Sequence, residues 1–138
     1  MGSRGSQTGD AEAAARAGRT AGTGAIVVMV TAPGLESATG IARALVTEGL
    51  AACVNIVPGV RSIYVWDGKL CDDSEALCVA KTRRDLFDRL RTRVIELHPY
   101  DVPEVLAFDL DDGNASYLEW VRGATRADGG GGGGGGGE

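Results

Sequence analysis

The dipeptide Asp67-Gly68 lies between two strand-like segments, and it constrains the fold more than any other feature of the sequence. Asp-Gly favours a two-residue turn, because both residues tolerate a positive φ, and such a turn joins two antiparallel strands. The first limb consists of Cys53–Val57 and Val60–Trp66, separated by Pro58-Gly59. A proline within a strand pattern indicates an edge strand or a bulge, so we predict a bend at this point.

The return limb is predicted to pause at Asp72-Asp73 and to resume over 75–81. The hairpin is then longer than any other strand pattern in the chain. Tyr64 and Trp66 share one of its faces, because side chains alternate along a strand. They could form an exposed recognition patch, but aromatic side chains on an edge strand are a liability unless they are covered. We therefore predict that Tyr64, Trp66 and the bend at Pro58 belong to an oligomer interface.

Strand and helix patterns alternate along the segment 25–125. Continuous β-branched residues indicate a central strand, whereas apolar residues at helical spacing indicate helices. Right-handed crossovers then give an α+β, ferredoxin-like βαββαβ sandwich with an antiparallel sheet, a long protruding hairpin and an extra C-terminal helix. Two helices cover only one sheet face, so the opposite face is expected to be polar or covered by another chain. The predicted elements outside the hairpin are a strand over 25–31, a helix over 35–48, a helix from 82 to 97, a strand over 105–110 and a helix over 115–122.

Local sequence predicts how the helices begin and end. Gly49 is expected to follow the first helix as its capping glycine, and Asn114 to cap the start of the last helix. Thr82–Asp85 is predicted to be a variant capping box for the second helix, which Pro99 then stops. Gly40 inside the first helix costs up to ~1 kcal/mol relative to alanine, so we expect close packing against it.

The segments on either side of this pattern are predicted to be disordered. The arm 1–24 has no large apolar residue after Met1, and the tail 126–138 contains the glycine run Gly129–Gly137. Neither segment can bury enough surface to offset its ordering entropy. The arm lacks the apolar core of a secretory signal, so we expect a cytoplasmic protein. The alternative is an organelle-targeted precursor, because the arm contains arginine and serine.

The net charge of −5 is spread along the sequence. No basic block could neutralise a row of phosphates, so nucleic acid is not an expected partner. No apolar run approaches the roughly 20 residues that span a bilayer, so no membrane is expected either. The 3 cysteines show no C-x-x-C spacing, and their odd number favours a reducing compartment over a disulfide framework.

Sequence motifs for catalysis are missing. The chain has no nucleophile elbow, P-loop, dinucleotide fingerprint or zincin helix, and we therefore expect no enzymatic activity. His98 is the only histidine, and a histidine at a helix end often has a structural role. A metal site would combine His98 with a carboxylate such as Glu75 or Asp101, or with a cysteine thiolate. The spacing of these residues matches no closed tetrahedral zinc motif.

Short blocks of distinctive sequence cover nearly all of 25–125. The longest is 50–60, Leu-Ala-Ala-Cys-Val-Asn-Ile-Val-Pro-Gly-Val. The others are Ser62–Tyr64, Trp66–Lys69, Glu75, Lys81-Thr82, His98–Tyr100, Pro103-Glu104 and Tyr117–Trp120. In identity and in order, these blocks closely resemble the CutA divalent-cation-tolerance family.

This resemblance implies a non-enzymatic homotrimer, similar in shape to the PII signalling proteins, with a role in tolerance to copper and other divalent cations. It implies His98 and Glu75 as metal ligands, for copper or another divalent cation that the fold does not require as a cofactor. Some members have a cysteine where this chain has Val30, so only weak metal binding is expected. Asp101 replaces a glutamate that is common in the family, and it keeps the charge.

The same resemblance leaves a second hypothesis open. A PII-like trimer could bind a small molecule or a protein partner in clefts between its subunits, with metal effects that are indirect. The candidate residues for such a cleft are Tyr100, Lys81, Trp120 and Asp101.

Overall fold

The computed structural model describes residues 22–126, and this part of the chain follows the predicted order of elements. The strands are β1 (Ala25–Ala32), β2 (Cys53–Trp66), β3 (Lys69–Arg83) and β4 (Val105–Asp109). The helices are α1 (Leu35–Thr47), α2 (Phe87–Leu97) and α3 (Ala115–Gly123), and a short 3-10 helix (Arg84–Leu86) precedes α2. None of these helices combines the length and the apolar character that a bilayer crossing demands.

The predicted disordered arm and tail lie outside the described residues, except at their inner ends. The hydroxyl of Thr23 donates to the carbonyl of Leu110 over 2.8 Å. The backbone N–H of Arg126 donates to the carbonyl of Gly49 over 2.9 Å. Hydrogen bonds to the folded domain therefore extend to Thr23 and Arg126, just outside the predicted domain bounds of 25 and 125.

The four strands form one antiparallel sheet in the order β2-β3-β1-β4. The central strands β1 and β3 are aligned from Ala25 opposite Arg83 to Ala32 opposite Ala76. The helices α1 and α2 pack on one face, as right-handed crossovers require. The predicted α+β ferredoxin-like fold, with its long hairpin and extra C-terminal helix, is confirmed.

The hydrophobic core lies between this sheet and the two helices. Alternate residues of β1 face the core, and Ile26, Val28 and Val30 have 0% exposure. Burying an aliphatic side chain of this size contributes about 1.5–3 kcal/mol, so β1 is a major source of stability. The helices and the turn before α2 supply Ala38, Ile41, Leu45, Leu86, Leu90 and Val94.

The opposite sheet face keeps apolar side chains in contact with solvent. Leu106 and Phe108 of β4 are 51% and 50% exposed, and Val57 of β2 is 43% exposed. A monomer with such a face needs a partner surface or carries an aggregation hazard. The sequence predicted that this face is either polar or covered by another chain. Its exposed apolar side chains favour the second alternative.

The turn and the bend of the hairpin agree with the prediction. Asp67 and Gly68 adopt φ values of 54° and 75°, as a type I′ turn requires. The β2–β3 ladder shifts its register between Val57 and Val60, which places a bulge at Pro58-Gly59. Gly59 has a φ of 73°, a conformation in which glycine avoids a steric cost.

The predicted pause at Asp72-Asp73 is wrong, because β3 is continuous from Lys69 to Arg83. The Arg61 guanidinium donates two hydrogen bonds to the Asp72 carboxylate, over 2.9 and 2.8 Å. The Tyr64 hydroxyl donates to Asp73 over 2.5 Å. These cross-strand partners outweigh the low strand propensity of aspartate.

The distal half of the hairpin extends beyond the rest of the sheet. β1 pairs with β3 only between Ala76 and Arg83, so the preceding part of β3 pairs with β2 alone within the described residues. β2 is itself an edge strand. Both edges of the distal hairpin therefore present backbone groups that another strand could bind.

Two predictions about the helices are wrong. Thr82 caps no helix, because it remains in β3, where its hydroxyl donates to the Leu50 carbonyl over 2.6 Å. The chain then passes through the 3-10 helix before α2 begins. Gly40 makes no close packing, since nothing lies within 4 Å of the position of a Cβ atom there.

The other helix ends are as predicted. Gly49 has a φ of 76° just after α1. α2 ends at Leu97, ahead of Pro99. The side chain of Asn114 accepts a hydrogen bond from the Ser116 backbone over 3.3 Å at the start of α3.

Candidate functional site

An open cleft of about 740 Å³ lies between the distal hairpin and the loop that follows α2. This loop leads into β4, which pairs with β1 so that Val105 is opposite Val30. The cleft is therefore at the end of the sheet from which the hairpin protrudes. Its walls are formed by Thr31, Ser62, Ile63, Tyr64, Trp66, Glu75, Pro99, Tyr100, Asp101, Val102 and Glu104.

Glu75 is the most buried charged side chain of this cleft. It is 7% exposed, and the Tyr100 hydroxyl donates to its Oε2 over 2.9 Å. Burial and the neighbouring Glu75 carboxylate raise the pKa of Tyr100 to about 12, so the phenol remains a neutral donor near pH 7. Among the described residues, no group donates a hydrogen bond to Oε1 of Glu75. Every fully buried side-chain oxygen of the described residues has a hydrogen-bond partner, so Oε1 cannot be fully buried. Oε1 is therefore open to the cleft.

His98 is buried beside Tyr100, and both of its ring nitrogens are engaged. Nε2 lies 2.7 Å from the carbonyl oxygen of Thr31, and the backbone N–H of Tyr100 donates to Nδ1 over 3.1 Å. A carbonyl can only accept, so Nε2 carries the proton and Nδ1 supplies the lone pair. His98 thus joins the loop after α2 to the end of β1, and it positions the Tyr100 ring 4.8 Å from its own.

The two predicted metal ligands, His98 and Glu75, are linked through Tyr100, which contacts both. Within residues 22–126, no three histidine, cysteine, aspartate or glutamate side chains are arranged to hold a metal ion. Tight transition-metal sites use three or four such ligands. The side chains of this cleft therefore do not fit a preformed, tight metal site.

The predicted cleft residues separate into two groups. Tyr100 and Asp101 line the cleft. Lys81 lies in the paired part of β3, where its ammonium group contacts the Asn55 side chain. Trp120 lies on α3, with its ring 5.6 Å from that of Tyr117. Neither Lys81 nor Trp120 is part of the cleft wall.

The aromatic residues of the hairpin border the same cleft. Tyr64 and Trp66 are 40% and 60% exposed. The hydrogen bond to Asp73 raises the pKa of Tyr64. The bend at Pro58 lies at the base of the protruding segment. Their place in an oligomer interface stays a prediction.

Thr31 and Glu104 line the cleft but were not predicted as site residues, although Glu104 belongs to the sequence block Pro103-Glu104. Glu104 immediately precedes β4, and Thr31 is near the end of β1, which pairs with β4. The antiparallel register of β1 and β4 brings these two strand ends together. A correct strand alignment would have indicated both residues, whereas sequence motifs alone did not.

Comparisons with known proteins agree over this part of the chain. A family model described as CutA1 divalent ion tolerance protein matches residues 26–124. The rice protein named "Protein CutA 1, chloroplastic" is 50% identical over 101 residues, which cover 73% of this chain and 57% of that protein. The "Divalent-cation tolerance protein CutA" of Thermus thermophilus is 52% identical over 96 residues, which cover 70% of this chain and 93% of that protein.

Solved structures give the same result. The divalent cation tolerance protein from Thermus thermophilus superimposes with a TM-score of 0.72 at 50% identity, over 74% of this chain and 99% of that one. The CutA1 structure from Oryza sativa superimposes with a TM-score of 0.73 at 49% identity, over 74% of this chain and 94% of that one. The match thus spans nearly all of the bacterial relative but little more than half of the full-length rice protein.

Proposed function

The chain belongs to the CutA1 divalent ion tolerance protein family, and on this premise we propose that it takes part in the response to divalent metal ions, copper among them. The observation that supports a direct role is the Glu75 carboxylate, buried but with one oxygen open to the cleft. Asp101 and Glu104 add two further carboxylates to the same wall. Carboxylates that face one cavity attract divalent cations.

We expect this metal binding to be weak. His98 could become a ligand only by giving up its contact with Thr31 or with the Tyr100 N–H. Each of these hydrogen bonds is worth about 1 kcal/mol, which reduces the net gain from ligation. Val30, fully buried in the core, offers no thiolate in exchange.

We also propose that the protein has no catalytic activity and works in a reducing compartment. The first proposal is supported by His98, the only histidine of the chain, whose two nitrogens are held by backbone groups. The second is supported by Cys53, Cys71 and Cys78, all of which are free thiols. The cytoplasm or an organelle interior would meet this requirement.

A homotrimer is the proposed form of the protein. Two features support association: the unpaired backbone edges of the distal hairpin and the exposed apolar face around Phe108. A ring of three chains can satisfy both, because each hairpin extends a neighbour's sheet while the apolar faces turn inwards. The contact should exceed ~800 Å² per partner, as obligate interfaces do.

A small-molecule or protein-binding scaffold is the second candidate function. The observation that favours it is the cleft itself, since its volume of about 740 Å³ is that of a ligand pocket and aromatic side chains line it. A protein of this kind would respond to metal indirectly.

Calorimetric titration with copper at pH 7 tests the first candidate. We expect weak, saturable binding that falls about tenfold in Glu75→Gln, because the amide keeps the acceptor for Tyr100 but removes the charge. Asp88→Asn is the matched control, since Asp88 is an 85% exposed side chain on α2. No copper binding, or equal binding by the wild-type protein and Glu75→Gln, contradicts a metal site in this cleft.

A further inference from the structure

The cleft combines three aromatic side chains with three carboxylates, and from this combination we infer that its ligand is a small organic cation. The class is an alkylammonium or guanidinium compound with an apolar body. This inference rests on the proposed function, because it concerns the same cleft. It names the class of ligand that the protein would bind under the second candidate function, that of a small-molecule-binding scaffold. The residues concerned are Tyr64, Trp66, Tyr100, Glu75, Asp101 and Glu104.

The negative charge of the cleft wall determines which sign of charge the ligand can carry. Within residues 22–126, no lysine or arginine lines the cleft, and neither Asp101 nor Glu104 pairs with a basic side chain. Bringing an anion here would place like charges together, so nucleotides and carboxylic acids are disfavoured. A ligand with a positive group is attracted instead.

Glu75 gives this charge a defined position. The side chain is only 7% exposed, its Oε2 is fixed by the Tyr100 hydroxyl, and its Oε1 is open to the cleft. An N–H donor that reaches Oε1 would complete the hydrogen bonding of a carboxylate already removed from most of its water. Charge-assisted hydrogen bonds of this kind are stronger than neutral ones.

The aromatic rings favour an organic cation over a bare metal ion as the ligand of this cleft. Tyr100 is oriented by its bond to Glu75, and Tyr64 by its bond to Asp73. A ring held in this way, together with exposed Trp66, offers a π face to an ammonium or guanidinium group and apolar contact to its hydrocarbon part. A metal ion gains little from such walls, and the described residues supply no set of three ligands for it.

A charge series of three ligands of one shape tests the inference on the full-length protein. Calorimetry compares benzylammonium, benzyl alcohol and benzoate, with copper titrated into the same preparation. We expect benzylammonium to bind with a Kd below about 10 mM, benzyl alcohol at least about tenfold more weakly, and benzoate not at all. Benzylammonium affinity should fall as sodium chloride is added, because salt screens the carboxylates.

Variants assign the binding to the cleft. We expect Glu75→Gln to lower benzylammonium affinity at least about tenfold and the exposed Asp101→Asn to lower it by a smaller factor, whereas Asp88→Asn leaves it within about twofold. Equal binding of benzyl alcohol and benzylammonium, or unchanged binding by both cleft variants, overturns the inference. Benzylammonium binding without copper binding leaves the inference standing and refutes the metal site. Copper binding without benzylammonium binding overturns the inference and leaves the metal site standing.

Discussion

Tyr100 joins three groups that are distant in the sequence. Its hydroxyl donates to Glu75, its backbone N–H donates to His98, and His98 in turn contacts the Thr31 carbonyl. The hydrogen bond to Glu75 matters most for stability, because this carboxylate is 7% exposed and has little access to water. Loss of one partner of a buried polar group generally costs more than the bond itself contributes.

Tyr100→Phe should therefore lower the free energy of unfolding by about 1–2 kcal/mol at pH 7, measured in denaturant at a fixed protein concentration. Tyr117→Phe is the matched control, since Tyr117 is 41% exposed and its ring contact with Trp120 survives the change. The control should stay within about 0.5 kcal/mol of the wild-type protein. Equal effects of both substitutions would show that the Glu75 contact contributes nothing.

The difference in the free energy of unfolding between the wild-type protein and Tyr100→Phe should depend on pH. The reason is the pKa of Tyr100, which is raised to about 12 in the folded protein. A phenol with a raised pKa stabilises the fold at pH values below its unfolded pKa of about 10. This contribution is lost as the pH rises towards 12. The gap between the wild-type protein and Tyr100→Phe should therefore shrink over this interval, and a constant gap would contradict the assignment.

At the scale of the elements, two glycines offer a test of backbone conformation alone. A Cβ atom would meet nothing within 4 Å at Gly40 or at Gly59. Gly40 lies inside α1, whereas Gly59 forms the bulge of β2 with a φ of 73°. Gly40→Ala should raise the free energy of unfolding by about 0.5–1 kcal/mol, because alanine restricts the unfolded chain. Gly59→Ala should lower it by about 1–2 kcal/mol, because the left-handed region strains alanine. Shifts of the same sign at both positions would refute this explanation.

The elements also show how far the sequence was informative. The Asp67-Gly68 turn, the bulge after Val57 and the end of α2 before Pro99 were predictable, because each depends on the backbone preferences of the residues at that point. The aspartates of β3 were not, because their partners Arg61 and Tyr64 come from the other strand. Their pairing depends on a register that local patterns do not contain.

The candidate site, too, was only partly predictable from the sequence. Glu75, Tyr100 and Asp101 were indicated by sequence resemblance, and the structure brings all three into one cleft. Lys81 and Trp120 were indicated on the same grounds but lie elsewhere. Short sequence blocks identify residues that matter together in a family. They do not state which of those residues share a cavity.

At the scale of the whole molecule, the exposed apolar groups of the distal hairpin indicate how the chains associate. Ile63, Val65 and Leu70 share one hairpin face and are 62%, 66% and 75% exposed. Tyr64 and Trp66, the residues predicted for the interface, occupy the other face. Both of them border the cleft, and so does Ile63 from the first face. Strand edges without partners and an apolar face occur together along the same segment, which is the arrangement that subunit contact stabilises.

Leu70→Lys should therefore weaken the trimer. Ile95→Lys is the matched control, because Ile95 is 49% exposed near the end of α2, where a lysine favours the helix. Light scattering at low micromolar concentration should give three times the chain mass for the wild-type protein and for Ile95→Lys. Leu70→Lys should give a smaller, concentration-dependent mass and a lower Tm, because folding and association are linked in an obligate oligomer. A monomeric, stably folded wild-type protein would refute the trimer itself. A trimeric Leu70→Lys protein with an unchanged Tm would instead place the subunit contact away from this face of the hairpin.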